Sequence, residues 1–219
     1  MNEEECYSMK KIIYYRPFQK QDARDLASVI SESWSYEKMF SKKAAYHFSH
    51  IFLYYELARQ AFTQVADVDG KAAGIIVGNI KNESKTKYKW LYWPKIIWHG
   101  ACLLTLKEGR DILLNYVGEV DTLNKKMLDN LDESFDTELS LFAVTPKVQG
   151  LGVGSELFRF FTDKLKQKRM KKFFLYTDTT CNYGFYDYKG LSRISAASKK
   201  IGAPVNEEIE FYIYKGNVT

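Results

Sequence analysis

Cysteine is scarce in this chain of 219 residues, and what there is does not pair. Cys6, Cys102 and Cys181 are odd in number and widely spaced, and no Cys-x-x-Cys is present. Neither a zinc knuckle nor a disulfide framework is expected, and a reducing compartment, the cytoplasm, suits the composition. Long apolar runs are also missing. The longest, residues 91–106, is interrupted by Pro94, Lys95, His99 and Gly100, and is too short and too broken to cross a bilayer. The first residues, MNEEEC, are acidic and lack an apolar signal core. There is little surplus charge of either sign: the formal net charge is +5, with basic residues spread along the chain. Their densest stretch, Lys164 to Lys172, falls where a helix is expected to end, a place that favours cations without any partner. Neither a nucleic acid nor a membrane is expected as a partner. No internal repeat is visible.

Aromatic residues, by contrast, make up 16% of the chain, with 16 Tyr and 4 Trp. The length allows a sizeable core, and amphipathic rings also suit cavities and interfaces. Residues 12–15 form a β-branched and aromatic run that reads as a first strand. Asp22 can cap a helix to about Ser33, and a second helix is expected over residues 41–62. Residues 63–68 and 71–80 flank Asp69-Gly70, a strong hairpin turn. Over residues 81–137 the pattern breaks. A lysine-rich loop at 82–89 precedes an aromatic stretch at 90–98, then short helical patterns at 103–106, 112–116 and 120–131. Strands are expected again at 138–144, 172–177, 191–198 and 207–214, with a helix at about 152–168 and a short turn or helix at 182–188.

The densest information lies in residues 139–154, LSLFAVTPKVQGLGVG, followed by SELFRFF. This reads as an apolar strand, a short turn, a glycine loop and an amphipathic helix. Glycine lets the backbone approach a ligand closely and adopt positive φ. Several N–H groups of such a loop can converge on one anion, helped by the free N–H groups and dipole of the helix that follows. The loop is therefore a pyrophosphate cradle. A Walker A loop needs Lys after its last glycine, and none follows Gly154. A Rossmann turn needs Gly-x-Gly-x-x-Gly, whereas Gly150, Gly152 and Gly154 are spaced Gly-x-Gly-x-Gly.

Ala143-Val144-Thr145-Pro146, then Gln149-x-x-Gly152-x-Gly154 at the head of a helix, resembles the acetyl-CoA loop of the GNAT superfamily of N-acetyltransferases. The resemblance covers nearly the whole chain and is weakest over residues 81–137. It implies an α/β fold with a mixed, splayed central sheet flanked by helices. Residues 1–219 would form a single N-acetyltransferase domain, with residues 82–137 as a helical insertion before the cofactor-binding strand. It also implies acetyl-CoA as co-substrate, no metal, and direct attack by a bound primary amine in a ternary complex.

Residue by residue, the resemblance gives the cofactor loop to Gln149, Gly150, Leu151, Gly152, Val153, Gly154 and Ser155. Phe142, Ala143 and Val144 would lie along the pantetheine arm, the main chain of Phe142 and Val144 pairing with it like an added strand. Tyr186, four residues before Gly190-Leu191, would be the general acid for the coenzyme thiolate, with Tyr183 and Tyr188 as substitutes. Leu191 replaces the family's usual Phe. Asn182 would hydrogen-bond the cofactor, although it sits closer to the Tyr than is common in the family. Glu138, eleven residues before Gln149, would be the base, with a water or His99 as alternatives.

His47 and His50 share a helix face, but no third metal ligand is apparent, so they read as satisfied polar residues. Trp90, Tyr92, Trp93 and Trp98 are expected to pack the insertion or to wall the acceptor site. The acceptor itself, a small-molecule or peptide amine, is left open, and the resemblance makes a homodimer an available assembly. A non-catalytic acyl-CoA sensor or scaffold would need the same loop without Tyr186 or a base. A nucleotide-binding protein is a second rival.

Overall fold

The computed structural model describes residues 11–218 except 82, 84 and 85, with side chains described from residue 89 onward in the helix that begins at 86. Cys6, the acidic first residues and part of the expected loop at 82–89 lie outside the described residues. The strands are β1 Ile13–Arg16, β2 Phe62–Val68, β3 Lys71–Ile80, β4 Thr137–Val144, β5 Lys172–Asp178, β6 Ser192–Lys200 and β7 Glu208–Asn217. They form one sheet in the order β1-β2-β3-β4-β5-β7-β6. Neighbours are antiparallel except β4 and β5, which run parallel. The β2–β3 turn is the expected Asp-Gly hairpin: Asp69 and Gly70 both take positive φ, 53° and 81°, as this tight turn demands.

The sheet separates two cores. On one face lie α1 Ala23–Ser33, α2 Tyr36–Met39 and α3 Lys42–Arg59, burying Leu26, Ile30, Tyr36, Leu53 and Leu57. Each such aliphatic side chain contributes about 1.5–3 kcal/mol on burial. On the other face α7, Val153–Gln167, presents Val153, Leu157, Phe161 and Leu165. The short α8, Gly184–Tyr188, adds Tyr186 to this second core. The helix α3 begins one residue later than its cap, Ser41, whose hydroxyl accepts the Ala44 N–H. It ends earlier than the expected 62, because Ala61 N–H is taken by Gly78 O and the chain has already joined the sheet.

The largest departure from expectation is the insertion. Instead of a loop, an unassigned aromatic stretch and a short helical piece, a single 19-residue helix, α4, runs Thr86–Leu104 with Pro94 inside it. Tyr92, Ile96 and Leu103, spaced four and seven apart, turn towards the core shared with α3. The helical period was hidden because the outward side of α4 is apolar too. The chain continues through α5, Gly109–Asp111, a π-helical turn at Ile112–Tyr116 and α6, Val117–Asp129. Ile112, Tyr116 and Met127 join the core of α1 and α3, so the insertion is built onto that face.

Two irregularities shape β4. Val77 pairs with Leu141 and Gly78 with Leu139, so Ser140 is an extra residue, a β-bulge. And β4 meets β5 at one register position only, Glu138 with Phe174. Past that point the two parallel strands diverge.

The turn from α4 into α5 is tight enough to test. A Cβ on Gly109 would fall 1.8 Å from the Leu103 carbonyl oxygen, whereas one on Gly100, within α4, meets nothing within 4 Å. Gly109→Ala is expected to cost about 1–3 kcal/mol. Gly100→Ala is expected to gain about 0.5–1 kcal/mol. Urea denaturation of both variants checks the pair, and a neutral Gly109→Ala would contradict the α4–α5 geometry.

Candidate cofactor and acceptor site

Thr145 N–H donates to Ala73 O at 2.9 Å. Antiparallel main-chain groups alternate between partners, so residues 143 and 141 also turn theirs towards β3. Phe142 and Val144 therefore turn their N–H and C=O groups towards β5, into the gap where β5 no longer pairs. Unpaired main-chain groups of this kind require another partner. An extended amide-bearing chain such as a pantetheine arm fits that need.

The gap opens onto the glycine loop. A 3-10 turn at Pro146–Val148 is held by Val148 N–H to Thr145 O, 3.2 Å, and Gln149 N–H to Pro146 O, 3.0 Å. From α1, Glu32 accepts the Thr145 hydroxyl at 2.7 Å and pairs with Lys147 at 3.3 Å, which fixes the entry to the loop. Gly150 and Gly152 take positive φ, 82° and 74°. A side chain would be strained at both. Glu156 N–H is the first to bond back into the helix, to Gly152 O. Among the described residues, nothing accepts the N–H groups of Gly152, Val153, Gly154 or Ser155. Four donors at the positive end of a helix dipole suit a pyrophosphate. Gln149 and Leu151 are exposed beside them. Lys189, which the sequence reading passed over, donates to Ser155 Oγ at 3.0 Å and so brings a cation to the same helix end.

Tyr186 reaches the opposite side of the gap. After β5, Asp178 Oδ1 accepts the Thr180 N–H at 2.8 Å and shapes the turn into α8. Gly190, at φ 72°, then lets the chain turn back into β6. The Tyr186 ring is buried 6.5 Å from Phe142, 5.8 Å from Phe185 and 5.6 Å from Tyr214, centroid to centroid. Burial pushes its phenol well above the ordinary value of 10, and Cys181, Asp178 and Tyr214 push the same way. It is fully protonated at neutral pH, and no described residue hydrogen-bonds its hydroxyl. The alternatives are placed differently. Tyr188 is 82% exposed, and Tyr183 packs on Tyr212 and Arg193. Asn182 is exposed, with its carboxamide oxygen lying back beside Gly184.

Glu138 sits at the other end of β4, about 13 Å from Phe142 by strand rise. It is not a lone carboxylate. Arg59, from the last turn of α3, donates to Glu138 Oε2 at 2.8 Å, and Asn79 does so at 3.4 Å. Arg59 also lies 3.7 Å from Glu56, one turn earlier on α3. Glu56 is buried, and its Oε2 has no hydrogen-bond partner among the described residues. Burial pushes its carboxyl up to about 7, with Arg59 opposing and Glu138 reinforcing the shift. The Tyr55 ring lies 5.0 Å from the Arg59 guanidinium. Tyr176, from β5, has its phenol raised by burial and next by Glu138, which places it in the same neighbourhood. Sequence reasoning missed Glu56 and Arg59, since an i, i+3 charge pair on a helix is ordinary.

The histidines converge elsewhere. His99, on α4, faces α3: its Nδ1 is 3.0 Å from His47 Nδ1, and its ring stacks on His50 at 4.5 Å and 10°. His99 is therefore engaged with α3. His50 Nδ1 is spent on Tyr46 O at 2.8 Å. Among the described residues no three His, Cys, Asp or Glu are arranged to hold a metal ion. Trp90, Trp93 and Trp98 are exposed, contrary to the expectation that they pack the insertion; of that cluster only Tyr92 is buried.

A parallel strand pair splayed beside a glycine loop with free N–H groups, and a protonated phenol across the gap, define the cofactor side of an acyl-CoA-dependent transferase. The family model described as Acetyltransferase (GNAT) family matches residues 24–188, and the chain belongs to that family. Its members bind acetyl-CoA and act on amine acceptors. Among solved structures the fold is similar to that of a protein from Pyrococcus horikoshii, at 13% identity, covering 95% of this chain and 99% of that one, with a TM-score of 0.59. It is also similar to an N-acetyltransferase from Staphylococcus aureus, at 10% identity, 95% and 99% coverage and a TM-score of 0.52. A GCN5-related N-acetyltransferase from Rhodopseudomonas palustris gives 12% identity, 93% and 94% coverage and a TM-score of 0.53. Among curated protein sequences, none matches the chain.

The histidine cluster sets a pH dependence. Burial lowers His99 to about 4, and lowers His50 and His47 as well. Unfolded histidines titrate near 6.5, so in acid the unfolded chain binds more protons than the folded one. The histidines' share of stability is therefore expected to fall as pH drops from about 6.5 towards 4, against an opposite contribution from Glu56, whose raised carboxyl favours the folded state at lower pH. Melting temperature against pH checks this, and His99→Gln should flatten that limb.

Proposed function

We propose that residues 1–219 act as one acetyl-CoA-dependent N-acetyltransferase domain, transferring the acetyl group to a primary amine by direct attack in a ternary complex. The observation that carries this reading is the pair of β4 main-chain groups, at Phe142 and Val144, turned into the gap beside the free N–H groups of the loop. Acetyl-CoA, when bound, supplies a thioester-activated acetyl group. Phe142 and Val144 hold the pantetheine arm through main chain, with Ala143 between them. Residues 149–155 hold the pyrophosphate, and Lys189 adds a positive charge there. A main-chain N–H near Val144 acts as the oxyanion donor.

An amine with pKa near 10.4 is neutral in only roughly one molecule in 2,500 at pH 7, so a proton acceptor contributes to rate. Glu138 takes that proton, directly or through a water. Arg59 and Asn79 hold its carboxylate in place. Glu56, with its carboxyl near 7, is the adjoining group whose proton affinity matches neutral pH. Tyr186 keeps a proton on its phenol oxygen for the departing thiolate.

Isothermal titration with acetyl-CoA, using ATP and NAD as controls, tests the cofactor. Saturable binding of acetyl-CoA alone is expected; preference for a nucleotide, or no binding by folded protein, would overturn the reading. With an amine found by thiol release, Tyr186→Phe and Glu138→Gln are each expected to lower kcat about 10²–10⁴-fold with cofactor affinity retained. Unchanged turnover in Tyr186→Phe would remove the acid assignment. Cofactor binding with no turnover of any amine would favour the sensor.

A further inference from the structure

The helix α4 has two apolar faces and only one is covered. Tyr92, Ile96 and Leu103 turn inward, but Trp90, Leu91, Trp93, Ile97, Trp98 and Leu104 are exposed. Trp90 is 84% exposed, Trp98 67% and Ile97 65%, values far above those of side chains that have found a packing partner. From Trp90 to the end of α4, no exposed residue is charged or polar. Fourteen residue steps make this a stripe about 21 Å long. Contiguous apolar surface of this kind marks an interaction site.

Charge identifies the occupant. Between Glu83 and Glu108 the sequence has no acidic residue, but it has Lys85, Lys87, Lys89, Lys95 and Lys107. Lys89 at one end of the stripe and Lys107 and Arg110 at the other are exposed. The main-chain N–H of Ser41 donates to Glu108, which brings the exposed Lys42 and Lys43 to that second end. The stripe thus carries indoles from its first residue to its middle and cations beyond both ends. Indoles partition to the boundary between lipid headgroups and acyl chains, and lysines beside them are drawn to anionic headgroups. A second copy of the chain would set the same lysines against each other with no acid in the segment to pair them.

We propose that α4 docks this protein on an anionic lipid bilayer, lying in the plane of the surface with its tryptophan face inserted. No helix of the described residues is long and apolar enough to cross a membrane, but lying on one makes a different demand: one apolar face and a basic border. The expectation that no membrane partner exists rested on the lack of a spanning stretch and on the small, dispersed net charge, neither of which describes the local border of α4.

Flotation of the full chain with vesicles tests this, comparing phosphatidylcholine alone with a phosphatidylcholine–phosphatidylglycerol mixture. Binding to the anionic vesicles, a blue shift of tryptophan emission and weakening by salt are expected. The double variant Trp90→Ser/Trp98→Ser, both positions being exposed, should lower partitioning at least ~10-fold with circular dichroism and acetyl-CoA affinity unchanged. Lys89→Glu/Lys107→Glu should lower binding to the anionic vesicles while sparing the fold. Failure of folded protein to bind either vesicle would overturn the proposal, as would equal binding to both. So would self-association in sedimentation that the double tryptophan variant abolishes while vesicles bind nothing. These readouts do not depend on acetyl transfer, so either reading can fail without the other.

Discussion

The separation of β4 from β5 is the constraint on which the rest depends. Parallel neighbours normally bond along their length, yet these two touch only where Glu138 faces Phe174. The bulge at Ser140 increases the local twist of β4 just past that contact. On one face Phe142 packs on Phe185 of α8 at 5.1 Å. The sheet accepts unpaired main-chain groups in its middle, which is costly unless something binds there. The glycine loop follows β4 directly, so the orientation of the gap also sets the orientation of the loop.

A second constraint is ionic. Arg59 is shared between Glu56, which is buried, and Glu138, which is partly so. A buried carboxyl with an unpartnered oxygen and no cation nearby would lose its charge entirely; with Arg59 beside it the proton affinity settles near neutrality instead. The same guanidinium orients Glu138. Two carboxyl groups of different accessibility thus share one counter-charge, an arrangement in which a change at either is felt by the other.

Local patterns were readable in the sequence wherever one side chain or one turn type was decisive. Asp69-Gly70 specified its hairpin, an apolar run leading into the glycine loop specified β4, and the glycines of the loop demanded the positive φ they adopt. What escaped was either two-sided or distant. Periodicity marks a helix by contrast between faces, and α4 offers none, because Tyr92 and Leu103 inside are matched by Trp90 and Ile97 outside. Arg59 reaches Glu138 across 79 positions, and His47 reaches His99 across 52. No spacing rule covers such distances. The tryptophans were misjudged because aromatic bulk normally signals core, and only exposure could distinguish a packed ring from a presented one.

The helix α3 belongs to both halves of this picture. Its middle turns hold His47, His50 and Tyr54 against α4, and its final turn holds Glu56 and Arg59 against β4. From His50 to Arg59 is about 14 Å of unbroken helix. One continuous helix thus carries both sets of contacts, so the surface of the insertion and the acid–base groups of the sheet share a single structural support.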